Sequence, residues 1–122
     1  MCIRDRFTTD VTYVDNAVEG LLLGWLQGRA GQAYFITDGH RVDLRDFLET
    51  LFVIYGVELP TAEVDGATAE RVIPSPARWF LGQECTLRTE KAVGDLGYAP
   101  VVSHDAGLEA VRAALGAPAM TS

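Results

Sequence analysis

The sequence has little cysteine, little lysine and no long apolar run. Its two cysteines, Cys2 and Cys85, stand far apart. Two such thiols form neither a disulfide framework nor a zinc site, so a reduced cytoplasmic protein without a metal centre is expected. No apolar run approaches the ~18 residues needed to span a bilayer. The richest stretch, Leu21 to Leu26, is interrupted by Gly24 and closed by Gln27. Basic residues number 10 against 17 acidic ones, for a net charge of −7. That sign repels phosphate backbones and anionic headgroups, which disfavours nucleic acid and membrane surfaces as partners. The only histidines, His40 and His104, have no nucleophile or partner carboxylate at a telling spacing, so both are expected at the surface.

What is present is 122 residues, 48% of them hydrophobic, enough for one modest globular domain. Residues 1–6 (MCIRDR) share none of the downstream patterns and lack the apolar run of a signal peptide. They are expected to be a non-native junction. The folded part is expected over residues 7–116, with a frayed tail over 117–122.

The chain is organised around Thr12–Leu23. Phe7 to Val14 has strand composition. Asp15 or Asn16 then caps a helix, and Asn16 and Glu19 have the spacing of a capping box. Val14, Val18, Leu21, Leu22, Trp25 and Leu26 recur at helical spacing, the pattern of an inward stripe. Gly20 and Gly24 suit close helix packing, and Gly28 and Gly31 are expected to end the helix through positive φ. Ala33–Ile36 reads as a strand covered on both faces, followed by a turn at Asp38-Gly39.

Asp43 caps the next helix, with Asp46 in its first turn. Leu44, Phe47, Leu48, Leu51, Phe52 and Tyr55 form its stripe, and Gly56 and Pro60 stop it. Residues 61–71 read as an irregular surface connection. Val72–Pro74 is a short extended piece, and Ser75-Pro76 opens a brief helix through Leu81. Cys85–Leu87 is extended. Thr89 caps a helix that Gly97 stops, and Ser103 caps a last helix with Leu108, Val111, Ala114 and Leu115 inward.

This order implies an α/β chain, helix-rich with few short strands. Two strands cannot cover their own faces and edges. A homodimer or non-specific self-association is therefore expected of the chain alone.

Four stretches in order carry a resemblance: TYVDNAVEGLLL, GQAYFITDG, VDLRDFLETL and ECTLRTEKAVGDLGYAPVVS. Together they resemble the C-terminal segment of extended short-chain dehydrogenases/reductases, the NAD-dependent epimerase/dehydratase superfamily. TYVDN with QECTL looks closest to the 3β-hydroxysteroid dehydrogenase branch. The resemblance implies a C-terminal fragment of a Rossmann-type NAD(P)-binding fold. It implies part of an oxidoreductase acting on the CH–OH group of a sterol-like or other secondary alcohol. Hydride would pass between nicotinamide and carbon, with a tyrosine as acid/base and a lysine lowering its pKa.

The sequence departs from that pattern at the chemistry. Gly20 and Gly24 lie inside a helix, and Gly28 to Gly31 follow a helix, so no glycine-rich strand-to-helix turn is present. Tyr-x-x-x-Lys is absent: Lys91 is the only lysine, and Leu87 stands four residues before it. No catalytic, cofactor-binding or metal residue is therefore assigned here, and the chain alone is expected to be inactive. NAD or NADP would bind only a complete enzyme whose cofactor half precedes Phe7. The resemblance puts Thr12 and Tyr13, and Arg78 and Trp79, in line to contact a small-molecule substrate. Lys91 reads as a surface or structural residue. Two alternatives stand beside this reading: a fragment of a sugar-nucleotide epimerase/dehydratase, and a stand-alone binding module.

Overall fold

The computed structural model describes residues 8–59, 64–81 and 83–116. The elements run β1 (Thr8–Asp10), α1 (Val14–Gln27), β2 (Arg41–Asp43), α2 (Leu44–Tyr55), α3 (Gly66–Val72), α4 (Ser75–Leu81), α5 (Glu90–Leu96) and α6 (His104–Ala114). β1 and β2 form one two-stranded sheet, and Thr9 adds a parallel bridge to Cys85. The chain is thus α/β and helix-rich. It divides into two compact units. Asp10–Arg41 with Thr86–Ser122 makes the α1 unit, and Met1–Thr9 with Val42–Cys85 makes the α2 unit.

The α1 unit is built on the side of α1 that carries Asn16, Gly20 and Leu23. Asn16 is fully buried, and its amide uses both ends. Nδ2 donates to Asp38 Oδ1 at 2.7 Å and to the Val102 carbonyl at 2.9 Å. Oδ1 accepts from the Val101 and Val102 N–H groups at 2.8 and 2.9 Å. An asparagine side chain offers two donors and two acceptor sites, so every one is filled. One turn on, Gly20 lets Ile36 approach: a Cβ there would stand 2.7 Å from the isoleucine side chain. Below lies the apolar cluster of Ala92, Leu96 and Tyr98, with Leu23, Tyr34 and Ile36 packed against it.

This overturns the expected polarity of α1. Val14, Val18, Leu21, Leu22, Trp25 and Leu26 are exposed, Trp25 by 88%. Asn16 must reach residues 101–102 and Gly20 must meet Ile36, and that fixes the inward face. Neither Asp15 nor Asn16 caps the helix. Tyr13 holds the N-cap position without a side-chain cap bond, while Asp38 accepts from the Tyr13 N–H at 2.8 Å. The capping box is therefore not formed.

Other expectations shift in the same way. The first strand covers Thr8–Asp10 only, because the helix has already begun at Val14; Phe7 lies outside the described residues. Ala33–Ile36 forms no strand, as no neighbouring strand pairs with it among the described residues, and Phe35 is exposed. Gly31 has φ +74°, as expected, but Gly28 does not need positive φ. A Cβ at Gly28 would instead lie 2.2 Å from the Gly24 carbonyl oxygen. Gly24 itself meets nothing within 4 Å. In α6, Ser103 caps as expected by accepting from the Ala106 N–H at 3.2 Å. Gly107 and Arg112 are the buried residues there, whereas Ala114 and Leu115 are exposed. Thr89 occupies the N-cap of α5 without a side-chain bond.

In the α2 unit the Asp43 carboxylate caps α2, accepting from the Arg45 and Asp46 N–H groups at 3.0 and 3.2 Å. Gly56 closes the helix in the left-handed region, φ +71°. Ile54 is the buried residue of α2, Val42 is buried in β2, and Tyr55 is exposed. The irregular connection expected over residues 61–71 contains α3: Asp65 accepts from the Thr68 N–H at 2.7 Å, and Ala69 is buried. A polar helix this short shows no apolar period, so only its cap betrays it. Residues 60–63 lie outside the described part, Pro60 among them.

Replacing Asn16 tests its role in the α1 unit. Asn16→Ala leaves two N–H groups and a carbonyl buried without partners and should cost about 2–4 kcal/mol in urea denaturation. Asn16→Asp keeps the acceptors but sets a carboxylate against Asp38 and the Val102 carbonyl. It should lose at least as much at neutral pH and regain part on acidification, as a protonated carboxyl donates again. An Asn16→Asp protein as stable as the parent at neutral pH contradicts the assignment.

Candidate functional site

The residues expected to face a substrate divide between the units. Thr12 and Tyr13 enter the α1 unit at the start of α1. Thr12 Oγ1 donates to the Ile36 carbonyl at 3.3 Å, and the side chain is exposed. The Tyr13 ring packs on α6, where a Cβ added at Gly107 would sit 3.1 Å from Cδ2. Thr12 therefore keeps an open face, while Tyr13 is tied at backbone and ring.

Arg78 and Trp79 lie together on α4 in the α2 unit. They line a shallow concavity of about 280 Å³ with Gly66, Ala69, Glu70 and Ser75. Arg78 Nη1 stands 3.9 Å from Glu70 Oε1, and Arg78 Nε is buried with no hydrogen-bond partner among the described residues. Trp79 is 70% exposed.

His40 and His104 stack with ring centroids 4.4 Å apart. Their separation in sequence hid this pairing. Asp38 was also missed as a hub; it was read only as a turn. One signal was available for Asn16: asparagine competes with helical backbone bonding, so inside a first turn it needs a tertiary partner.

The electrostatics of the α1 unit are local. Arg29 Nε donates to Asp95 Oδ2 at 3.1 Å, and the Tyr34 hydroxyl donates to the same oxygen at 3.2 Å. The Arg29 hydrogen bond holds the Asp95 carboxyl below the usual range, and Asp95 in turn raises the guanidinium. Lys91 Nζ donates to Gln32 Oε1 at 2.7 Å and to the Ala33 carbonyl at 3.0 Å, over the face of Tyr34. That is a surface clamp, as read from the sequence. Tyr98 donates to the Thr37 carbonyl at 2.7 Å. Burial, then the charges of Asp38 and Glu19, push its phenol up from 10.0.

The starts of α1, α2, α5 and α6 offer no cradle for a dinucleotide's pyrophosphate. The Tyr13 N–H at the start of α1 is taken by the Asp38 carboxylate, and the first-turn N–H groups of α2 by that of Asp43. Asp15, Asp46, Glu90 and Asp105 add negative charge to the first turns of α1, α2, α5 and α6. Such helix starts repel phosphate instead of cradling it. No group of three His, Cys, Asp or Glu able to hold a metal occurs among the described residues. No described helix is long and apolar enough to cross a membrane.

Two curated relatives align along most of the chain. One is a 4-hydroxy-2-methyl-3-oxo-4-farnesyl-3,4-dihydroquinoline-1-oxide ketoreductase of Stigmatella aurantiaca. It is 35% identical over 89% of this chain and 38% of its own length. The other, a 2-alkyl-3-oxoalkanoate reductase of Stenotrophomonas maltophilia, is 31% identical over 88% of this chain and 40% of its own. Among solved structures, UDP-glucuronic acid 4-epimerase from Bacillus cereus, in complex with NAD, superposes with a TM-score of 0.60. It is 22% identical and matches 88% of this chain and 30% of that one. RMD from Pseudomonas aeruginosa, complexed with NADPH, gives 0.59 at 18% identity, over 88% of this chain and 32% of that one. No protein-family model matches. The resemblance to extended short-chain dehydrogenases/reductases is borne out: the chain aligns with two reductases and has the fold of NAD(P)-binding structures. It spans about two fifths of the length of the curated relatives it matches. Likeness to the solved structures shows the Rossmann-type fold alone, so the activity of a complete protein is a matter for proposal.

The sign of the Tyr98 shift gives a pH prediction. A raised folded value means that the neutral phenol adds stability fully present below 10.0 and lost as pH rises through the higher folded value. The chain should therefore lose stability in alkali above that point. Tyr98→Phe should cost about 1 kcal/mol at neutral pH and flatten the alkaline loss, followed by denaturant melts across a pH series. An unchanged alkaline limb in Tyr98→Phe contradicts this.

Proposed function

We propose that this chain forms the substrate-side portion of an NAD(P)-dependent reductase that interconverts a ketone and a secondary alcohol on a bulky, largely apolar molecule. The observation that carries this is the match to two reductases, at 35% and 31% identity, along nearly the whole chain. Both are named for substrates that join an oxo group to farnesyl or alkyl substituents. A sterol-like alcohol belongs to the same broad class, and the 3β-hydroxysteroid reading survives as one member of it. The sugar-nucleotide reading has weaker support, because its neighbours fall at or below 23% identity.

Thr12 and Trp79 are exposed for substrate contact, and Arg78 lies half-buried beside Trp79. Tyr13 serves instead to brace the corner from which Thr12 projects. Binding of the nicotinamide dinucleotide would fall to residues outside the described set, given the acidic helix starts. The bare stripe on α1, from Val14 to Leu26, supports self-association of the chain when alone, since each large apolar side chain left in water forgoes roughly 1.5–3 kcal/mol.

A chimera tests the reading. The chain replaces the aligned segment of the Stenotrophomonas reductase, and folding is checked by gel filtration and circular dichroism. A folded chimera should oxidise NADH or NADPH with 2-alkyl-3-oxoalkanoates and be inert towards UDP-glucuronate. Turnover of UDP-glucuronate with no ketone reduction would overturn it.

A further inference from the structure

We propose that the α3–α4 concavity is a carboxylate subsite: Arg78 receives the carboxylate of an amphiphilic acid, and Trp79 flanks its apolar body. The inference deepens the reductase reading and rests on it for the class of substrate.

Three observations carry it. First, the guanidinium is under-satisfied. Its nearest acidic oxygen, on Glu70, lies 3.9 Å away, beyond hydrogen-bond range, and Nε is buried without a partner among the described residues. The side chain nevertheless keeps 29% of its surface exposed, and a carboxylate supplies the two-oxygen fork that a guanidinium matches. Second, the lining is mixed. The 70% exposed indole of Trp79 offers apolar surface, and Ser75 adds a hydroxyl donor. Pockets of this kind bind apolar molecules and orient them with few polar groups. Third, the charge selects among oxyanions. Arg78 is the only cation lining the concavity, and Glu70 stands in the same wall. A single positive charge beside a carboxylate suits a monoanion, whereas a diphosphate would bring at least two negative charges against Glu70. The favoured ligand is therefore a monocarboxylate with an alkyl body, not a nucleotide.

The test uses the full chain labelled with ¹⁵N. The reporters are the Arg78 Nε–H and Trp79 indole N–H resonances. The probes are octanoate, octanamide (the same length without charge) and UDP. Octanoate should shift both resonances, with octanamide about tenfold weaker, as expected for a hydrogen bond to a charged group. UDP should shift neither. Arg78→Gln should bring octanoate down to the octanamide level and leave octanamide unchanged, and Arg78→Lys should restore part of the preference. Equal binding of octanoate and octanamide, a stronger response to UDP, a preference that survives Arg78→Gln, or no binding of octanoate would each overturn the proposal. If Arg78→Gln fails to fold, the three probes on the parent chain still decide. No cofactor or turnover enters the measurement. Its failure therefore leaves ketone reduction standing, and a chimera inactive on ketones leaves the carboxylate preference standing.

Discussion

A single side-chain amide, that of Asn16, joins three stretches of the α1 unit that are remote in sequence. It ties the first turn of α1 to Asp38 on one side and to Val101 and Val102 on the other. With no solvent exposure and every donor and acceptor filled, it behaves as a keystone: loss of one bond strands another buried polar group. Asp38 extends the network by accepting from the Tyr13 N–H, which leaves α1 capped by a residue far away in sequence. The rotation of α1 about its axis follows. Gly20 meets Ile36, Leu23 meets the Ala92–Leu96–Tyr98 cluster, and the large apolar residues face outward.

That outward face explains where sequence reasoning succeeded and failed. Helix positions were legible because their terminators act locally. Gly56 and Gly97 adopt the left-handed conformation expected of helix ends, and Asp43 and Ser103 cap through their own side chains. The inward face of α1 was not legible from its periodicity. The apolar stripe marks a surface that wants cover, and none of the described residues supplies it. The composition of Ala33–Ile36 likewise announces a strand, but pairing needs a neighbour, and Cys85 bridges Thr9 instead. α3 escaped notice because its only signal is the Asp65 cap. Of the candidate site, Arg78 and Trp79 were correctly placed on one short helix. Sequence alone gave no sign that the guanidinium lacks a hydrogen-bond partner at Nε.

The division into two units bears on function through chemistry. The α1 unit is dense with satisfied polar contacts, among them the Arg29–Tyr34–Asp95 cluster and the Lys91 clamp. Groups so engaged hold structure and leave little free for a ligand. Each unit also holds a buried guanidinium nitrogen without a hydrogen-bond partner among the described residues, Arg112 Nε in the α1 unit and Arg78 Nε in the α2 unit, and the latter lies beside an exposed indole. Acidic first turns in α1, α2, α5 and α6 make those helix starts poor hosts for phosphate. These features accord with the substrate-side role proposed for the segment, which matches about two fifths of each reductase.

The central claim is that the Asn16 amide locks the α1 unit, and amide hydrogen exchange read residue by residue tests it most directly. The Val101 and Val102 N–H groups lie outside any helix or strand, where backbone amides ordinarily exchange fast. Bonded to Asn16, they should exchange as slowly as the amides around Ala92 and Leu96 in the core of α5, and through the same cooperative opening. Fast exchange at Val101 and Val102 beside a protected α5 would contradict the account, because the unit would then hold together without its keystone.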